Sequence, residues 1–237
     1  MSAAPEVLGL DQVSAGYGPF RALFDVSLTV APNSAVALVG PNGAGKTTVA
    51  RVCSGLLAPT SGRVRLAGDD VTGAGPHVLA RRGVAHANEG RSVFASLTVE
   101  ENLTLAFRSA FGRSGVAQAL EEAYDLFERL RERRHQVAGS LSGGEQRFLT
   151  LARVLVVRPT LLIADELSLG LAPRVVQEVY DVLGQVRERG TSIVVVEQHL
   201  GRALAFADRV VVLDTGEVVW SGATDDIDDH ATAFLRS

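Results

Sequence analysis

The chain has 237 residues, enough for one large domain or two small ones with a real core. Its 46% hydrophobic and 21% charged content is that of an ordinary globular protein, and a net charge of −4 argues against a nucleic-acid binder that relies on a broad basic surface. The single cysteine, Cys53, rules out an internal disulfide; without a secretory signal or an apolar run of membrane-spanning length, the expectation is a cytoplasmic protein whose spanning helices, if it acts at a membrane, come from a partner.

In chain order, Val7–Val13 and Phe24–Val30 alternate like strands of an antiparallel sheet, with a turn at Ala15-Gly-Tyr-Gly-Pro19 between them. Ala35–Val39 reads as a short, fully buried strand. It runs into Gly40-Pro41-Asn42-Gly43-Ala44-Gly45-Lys46-Thr47-Thr48, and a helical pattern follows over Val49–Gly55. Strand, glycine-rich turn and helix N-terminus are the context of a P-loop. Glycines let the backbone wrap closely around phosphates with N–H groups pointing inward, and the helix end adds partial positive charge. Lys46 would reach the β- and γ-phosphates, and the Thr47 hydroxyl would hold Mg²⁺. Lys46 is the only lysine among 23 basic residues. A compact ammonium fits a phosphate cradle in a way that a broad, planar guanidinium does not. Cys53, in the helix after the loop, reads as a small buried thiol.

Beyond the turn Pro59–Gly62 come a strand at Arg63–Ala67, a short helix at 76–83 and a brief buried strand at Gly83–Ala87. From about 97 to 135 the pattern becomes helical. Thr98 and Glu101 have capping-box spacing at the first helix, and a second spans roughly Val116–Arg134, its apolar stripe made by Leu120, Tyr124, Leu126, Phe127 and Leu130. Arg129, Arg131, Arg133 and Arg134, interleaved with Glu128 and Glu132, read as a solvated face. The α/β rhythm then resumes: a helix near 143–157, a strand at Thr160–Ala164, a helix at about 173–189, a strand at Thr191–Val196 and a short helix near 200–206. Strands at Arg209–Leu213 and Glu217–Ser221 follow, joined by Thr215-Gly216. Strands alternating with helices imply a parallel sheet with covered faces. Asp225–Asp229 reads as a solvated cap or turn rather than a metal site.

Two further stretches carry chemistry. Leu161–Ala164 runs into Asp165-Glu166, two acids at the carboxyl end of a buried parallel strand, where α/β sheets place their ligands. Beside a P-loop the first acid binds Mg²⁺ through water, and the second is positioned to orient or deprotonate an attacking water. Ser140-Leu-Ser-Gly-Gly-Glu-Gln146 opens a helix that Ser142 can cap, with Gly143 and Gly144 exposing backbone N–H groups. By chemistry alone this is a second anion site or merely a capped helix.

With Gly40–Thr48, Leu141-Ser142-Gly143-Gly144-Glu145 and Leu161–Glu166 in this order, the whole chain resembles the ATP-binding cassette (ABC) family. The resemblance implies an α/β fold: a P-loop NTPase core of ABC ATPase type with an antiparallel β subdomain and a helical insertion. It implies one ATPase domain over 1–237, with the helical subdomain at about 90–145. In that family two cassettes meet head to tail, and the P-loop of one and the signature of the other sandwich each ATP. Leu141–Glu145 would therefore act in trans, with Ser142, Gly143 and Gly144 on the γ-phosphate bound to a second copy or a paralogue. Tyr17 matches the aromatic that stacks on adenine, and the helical subdomain matches the part that docks on membrane partners. ATP and Mg²⁺ are the implied cofactors, with Thr47, Glu89 and Asp165 toward the metal. The implied partners are transmembrane permease subunits and, indirectly, a substrate-binding protein, with no nucleic acid. The implied location is the cytoplasmic face of the cell membrane, as a peripheral subunit.

Finer features resemble the second ATPase subunit of branched-chain amino acid importers: Glu89-Gly90-Arg91, Phe94, Leu97–Asn102, Ser168–Pro173 and Val196-Glu-Gln198. Urea importer ATPases share much of this. The sequence departs from the general family pattern in holding Glu89 where glutamine is usual, Asn88 where proline is usual and Leu167 in place of the proline after Glu166. The segment Ser168–Leu171 also lacks its usual terminal aspartate. Counting back from Asp208, the family spacing puts Gln198 rather than His199 at the switch position that faces the γ-phosphate. Glu166, with Gln198 or His199, is the expected catalytic set.

Overall fold

The computed structural model describes residues 6–88 and 93–227. Glu89, Gly90, Arg91, Asp228 and Asp229 lie outside the described residues. The chain divides into two compact units: one made by residues up to His86 with Thr160–Glu166 and the segment from Arg187 on, the other by Ala87–Pro159 and Leu167–Val186.

In the first unit, strands β1 (Leu8–Tyr17) and β2 (Phe20–Val30) form a hairpin; β3 (Ala35–Val39) leads into helix α1 (Lys46–Cys53). Strands β4 (Ser61–Leu66) and β5 (Asp69–Asp70), helix α2 (Pro76–Arg81) and strand β6 (Val84–Ala87) follow. An antiparallel four-stranded sheet has the order β2-β1-β4-β5, with Leu8 facing both Val30 and Leu66. The expected turn at Ala15–Pro19 is shorter: Gly16 and Tyr17 still pair with Arg21 and Phe20, and only Gly18-Pro19 turn, with Gly18 at φ 58. A two-residue hairpin needs a positive φ, which glycine supplies.

In the second unit, helix α3 (Val99–Leu126) begins at Thr98, with both hydrogen bonds of the capping box made. It is interrupted at Gly112 (φ 69, ψ −174) and ends before Phe127. A separate turn, α4 (Glu128–Glu132), follows, so the expected helix Val116–Arg134 is corrected to two pieces. Packing overrides helix propensity here: the buried Phe127 ring lies 5.2 Å from that of Phe148, and Leu130 is fully buried. The arginines of this stretch lie largely exposed, as expected of a solvated face, and three of them also hold ion pairs. Arg129 pairs with Glu178, Arg131 with Glu121 and Asp125, and Arg133 with Glu145. Helices α5 (Gly143–Leu155) and most of α6 (Pro173–Glu188) complete this unit, which is wider than the 90–145 segment. Val176, Val179, Leu183 and Val186 are the buried stripe of α6.

Strand β7 (Leu161–Asp165) returns to the first unit, followed by β8 (Ser192–Glu197), helix α7 (Leu200–Phe206), β9 (Arg209–Asp214) and β10 (Glu217–Ala223). A six-stranded sheet has the order β10-β9-β3-β8-β7-β6. Strands β9, β3, β8 and β7 run parallel to one another, and β10 is antiparallel to β9. Strands β3, β7 and β8 are buried at every position, as continuous Val/Leu/Ile/Ala runs predict for a parallel sheet covered on both faces. Their carboxyl ends at Val39, Asp165 and Glu197 lie side by side, which brings the loop before α1 and the acidic pair together.

Candidate nucleotide site

Helix α1 starts on Gly45, which adopts φ 101, and among the described residues no side chain caps it. Its first N–H groups are therefore left for a ligand. Two glycines make this turn possible. A Cβ on Gly45 would lie 2.8 Å from Leu23 Cδ2, and a Cβ on Gly40 would collide with the Leu213 carbonyl. A cavity of about 470 Å³ opens over the turn, lined by Asn42, Gly43, Gly45, Lys46, Thr47 and Thr48 on one side and by Arg21, Ala22, Phe24, Glu166 and Thr215 around it.

Lys46 is 4% exposed, and its Nζ donates to the carbonyls of Gly40 (2.8 Å) and Pro41 (3.0 Å), so the ammonium is held within its own loop. Burial lowers its pKa, and the opposing pull of Glu166, Asp165 and Glu197 does not offset that. An anion in the cavity would complete the compensation. Pro41 and Ala44 shape the turn without lining the cavity: Ala44 is buried, and its N–H donates to the Pro41 carbonyl.

Asp165 and Glu166 stand at the end of β7, at 1% and 8% exposure. Glu166 has φ 48, a left-handed conformation for a non-glycine residue, and its N–H donates to the Val196 carbonyl of the next strand. Such backbone costs about 1–3 kcal/mol and concentrates at functional sites. Its carboxylate Oε1 accepts from Gln198 Nε2 at 3.0 Å. His199 begins α7 and is exposed. Gln198, and not His199, is thus brought to Glu166.

Thr47 lines the cavity and Asp165 ends the adjoining buried strand. A hydroxyl and a carboxylate form an oxygen-only donor set, which suits Mg²⁺. Among the described residues no group of three or more His, Cys, Asp or Glu could hold a metal.

Tyr17 is 42% exposed and is not among the residues lining the cavity. Its hydroxyl accepts from Arg51, whose guanidinium also lies 5.7 Å from the ring centroid. Arg21 and Phe24 occupy the cavity wall instead, and neither stands out in the hairpin sequence. His86, a third such residue, lies beside Asp165. Its Nδ1 is 3.1 Å from Ser54 Oγ and its Nε2 4.0 Å from Asp165 Oδ2, and burial, with Arg51 nearby, pushes its pKa down to about 4.

The signature turn belongs to the second unit. Ser142 caps α5, accepting from the Glu145 N–H at 3.3 Å, while Glu145 Oε2 accepts from the Ser142 N–H at 2.8 Å. Leu141 is buried and anchors the turn. A Cβ on Gly144 would meet Val175 at 3.0 Å, so the helix start packs against α6 without room for a side chain.

A glycine loop between a buried parallel strand and an uncapped helix, a buried lysine over it and an acid pair beside it define a P-loop ATPase. The chain matches the family described as ABC transporter over residues 23–168. The high-affinity branched-chain amino acid transport ATP-binding protein BraG of Pseudomonas aeruginosa is 40% identical over 213 residues, covering 90% of this chain and 91% of that protein. The probable branched-chain amino acid transport ATP-binding protein LivF of Archaeoglobus fulgidus is 36% identical, covering 92% and 93%. A solved ATP-binding subunit of an ABC transporter superposes with a TM-score of 0.85 at 28% identity, over 98% of this chain and all of that one. The chain belongs to the ABC transporter family, as an ATP-binding cassette, and is an ATPase. No helix among the described residues is long and apolar enough to cross a membrane.

Proposed function

We propose that this chain is the ATP-hydrolysing subunit of an ABC importer for branched-chain or related amino acids. The observation that carries the reading is the cavity in which buried Lys46 faces Glu166, itself held by Gln198. Similarity to two branched-chain amino acid transport ATP-binding proteins over nine-tenths of the chain supports the cargo class.

On this reading the whole chain works as one cassette. The loop Gly40–Thr48 binds the ATP phosphates through backbone N–H groups and Lys46. Thr47 and Asp165 hold Mg²⁺, which when bound neutralises charge on the transferring phosphoryl group. Glu166 accepts a proton from the attacking water, and Gln198 orients Glu166 and donates to the γ-phosphate. Tyr17 stacks on adenine after releasing Arg51. Two cassettes close around two ATPs, with Ser142, Gly143 and Gly144 of one capping the γ-phosphate on the other. Closure moves transmembrane permease subunits on the inner face of the membrane, which receive cargo from a substrate-binding protein. Cells whose only copy carries Glu166→Gln should lose uptake of labelled leucine, isoleucine and valine. Normal uptake of all three would overturn the cargo assignment, and loss of urea uptake instead would replace it.

A further inference from the structure

Glu145 creates a conflict within the signature turn. Its carboxylate closes the capping box on Ser142 and so shapes the start of α5. Yet it puts a negative charge in the first helical turn, beside the Gly143 and Gly144 N–H groups that have no intrahelical acceptor. A fixed anion there competes with any phosphate arriving at the same helix end. The carboxylate is not protonated away. Burial raises its pKa, but the bonds from Ser142 and the ion pair with Arg133 outweigh that and hold it below the usual range.

The neighbouring segment supplies the compensation. Arg133 Nε donates to Glu145 Oε1 at 2.5 Å, on the oxygen that the Ser142 N–H does not use. The guanidinium is itself fixed: Nη1 donates to Gln136 Oε1 at 3.1 Å, and Gln136 Nε2 donates to Ser140 Oγ at 3.0 Å. The turn after Arg133 is pinned to the start of α3, where Glu100 N–H donates to the Arg134 carbonyl and Val99 N–H to the Gln136 carbonyl. Arg133 and the Ser142 N–H thus take one carboxylate oxygen of Glu145 each, with the guanidinium held through Gln136.

We propose that Arg133 is a positioning residue of the signature turn: it neutralises Glu145, so that the capped helix can receive a γ-phosphate. This rests on the reading that the turn acts on ATP held by a second cassette. The pair is adjustable because its effect is one of charge: without Arg133 the bare carboxylate repels phosphate, and with both charges gone the turn is again permissive.

The test is ATP-driven dimerisation of the full chain in a Glu166→Gln background, followed by sedimentation, with monomer ATP affinity and melting temperature measured alongside. Arg133→Met should weaken the ATP-dependent dimer about tenfold or more with monomer ATP affinity unchanged, the size expected of a lost close charge pair. Arg133→Lys should retain most of it. Glu145→Gln should weaken it less than about threefold, and Arg133→Met with Glu145→Gln should return to that level, since coupled charges are non-additive. A double variant as weak as Arg133→Met alone, or an Arg133→Met dimer as tight as the parent, would overturn the proposal. Gly143→Asp separates the two levels. If it dimerises normally with ATP, the reading in trans fails, whereas failure of that variant together with a normal Arg133→Met dimer removes only the role of Arg133.

Discussion

Helix α1 begins on Gly45, left-handed and with no side-chain cap among the described residues, under a cavity that also holds Lys46; helix α5 begins on Ser142 with a complete capping box and an arginine behind its acid. Both present backbone N–H groups at a helix start, but they solve the same electrostatic problem differently. At α1 the positive partner is a buried ammonium, short of compensation, so phosphate fills a deficit. At α5 a fixed carboxylate already answers the helix end, and Arg133 answers the carboxylate, so the turn is closer to balance on its own. On the proposed function, the difference suits a site that keeps its nucleotide and a turn that meets one only on closure.

The comparison breaks first at its chemistry. Glu166→Gln should cut ATP turnover about 10²–10⁴-fold, as loss of a general base does, while ATP binding persists. Near-normal turnover would remove Glu166 from that role. Next, Lys46→Ala should weaken ATP binding at least about tenfold in equilibrium titration, since a buried charge partner is lost from the anion. Ser142→Ala should leave ATP binding in place, and the lost cap should lower stability by about 0.5–2 kcal/mol in chemical denaturation. Comparable damage to ATP binding from both would mean that the two helix starts are not distinct in kind.

Smaller effects sharpen the picture. Gln198→Ala should lower kcat several-fold more than His199→Ala, because only Gln198 bonds Glu166 while His199 is exposed. If His199→Ala collapses activity, and the parent shows an ionisation near neutrality that the variant loses, the switch register is one residue further on. Smallest of all is the behaviour of Cys53, whose thiol pKa is pushed up to about 12 by burial at the end of α1. The folded thiol stays protonated and shielded, so labelling by a maleimide should remain slow from pH 7 to 9 and become fast only on unfolding. Rapid labelling of the native chain would show that α1 opens locally.

Much of this was legible in the chain. The P-loop, the acid pair, the capping box at Thr98 and the helix cap at Ser142 are local patterns, and each lies within an element whose period is clear. What was not legible depends on residues far apart. The helix break at Phe127 is set by its ring packing on Phe148, not by local propensity. Tyr17 is drawn to Arg51, 34 positions away, and Glu166 to Gln198, 32 away. The arginines at 129–134 are largely exposed as their pattern implies, but the acids that pair with them, from Glu121 to Glu178, converge only in the folded unit. The reach of that unit to Leu167–Val186 is hidden for the same reason: α6 has an ordinary amphipathic pattern that fits a helix anywhere in an α/β fold.

The central claim is that the bare helix start of one cassette and the capped start of another form a single composite site. It is tested most directly by complementation. Lys46→Ala and Gly143→Asp chains, each inactive alone, are mixed in equal amounts and assayed for ATP turnover at saturating Mg²⁺ and ATP. If the site is shared in a two-fold dimer, half the dimers are mixed and each has one intact site, so activity should recover to about a quarter of the parent when sites act independently. Mixtures as inactive as the separate variants would contradict the account and place both helix starts on the same chain's nucleotide.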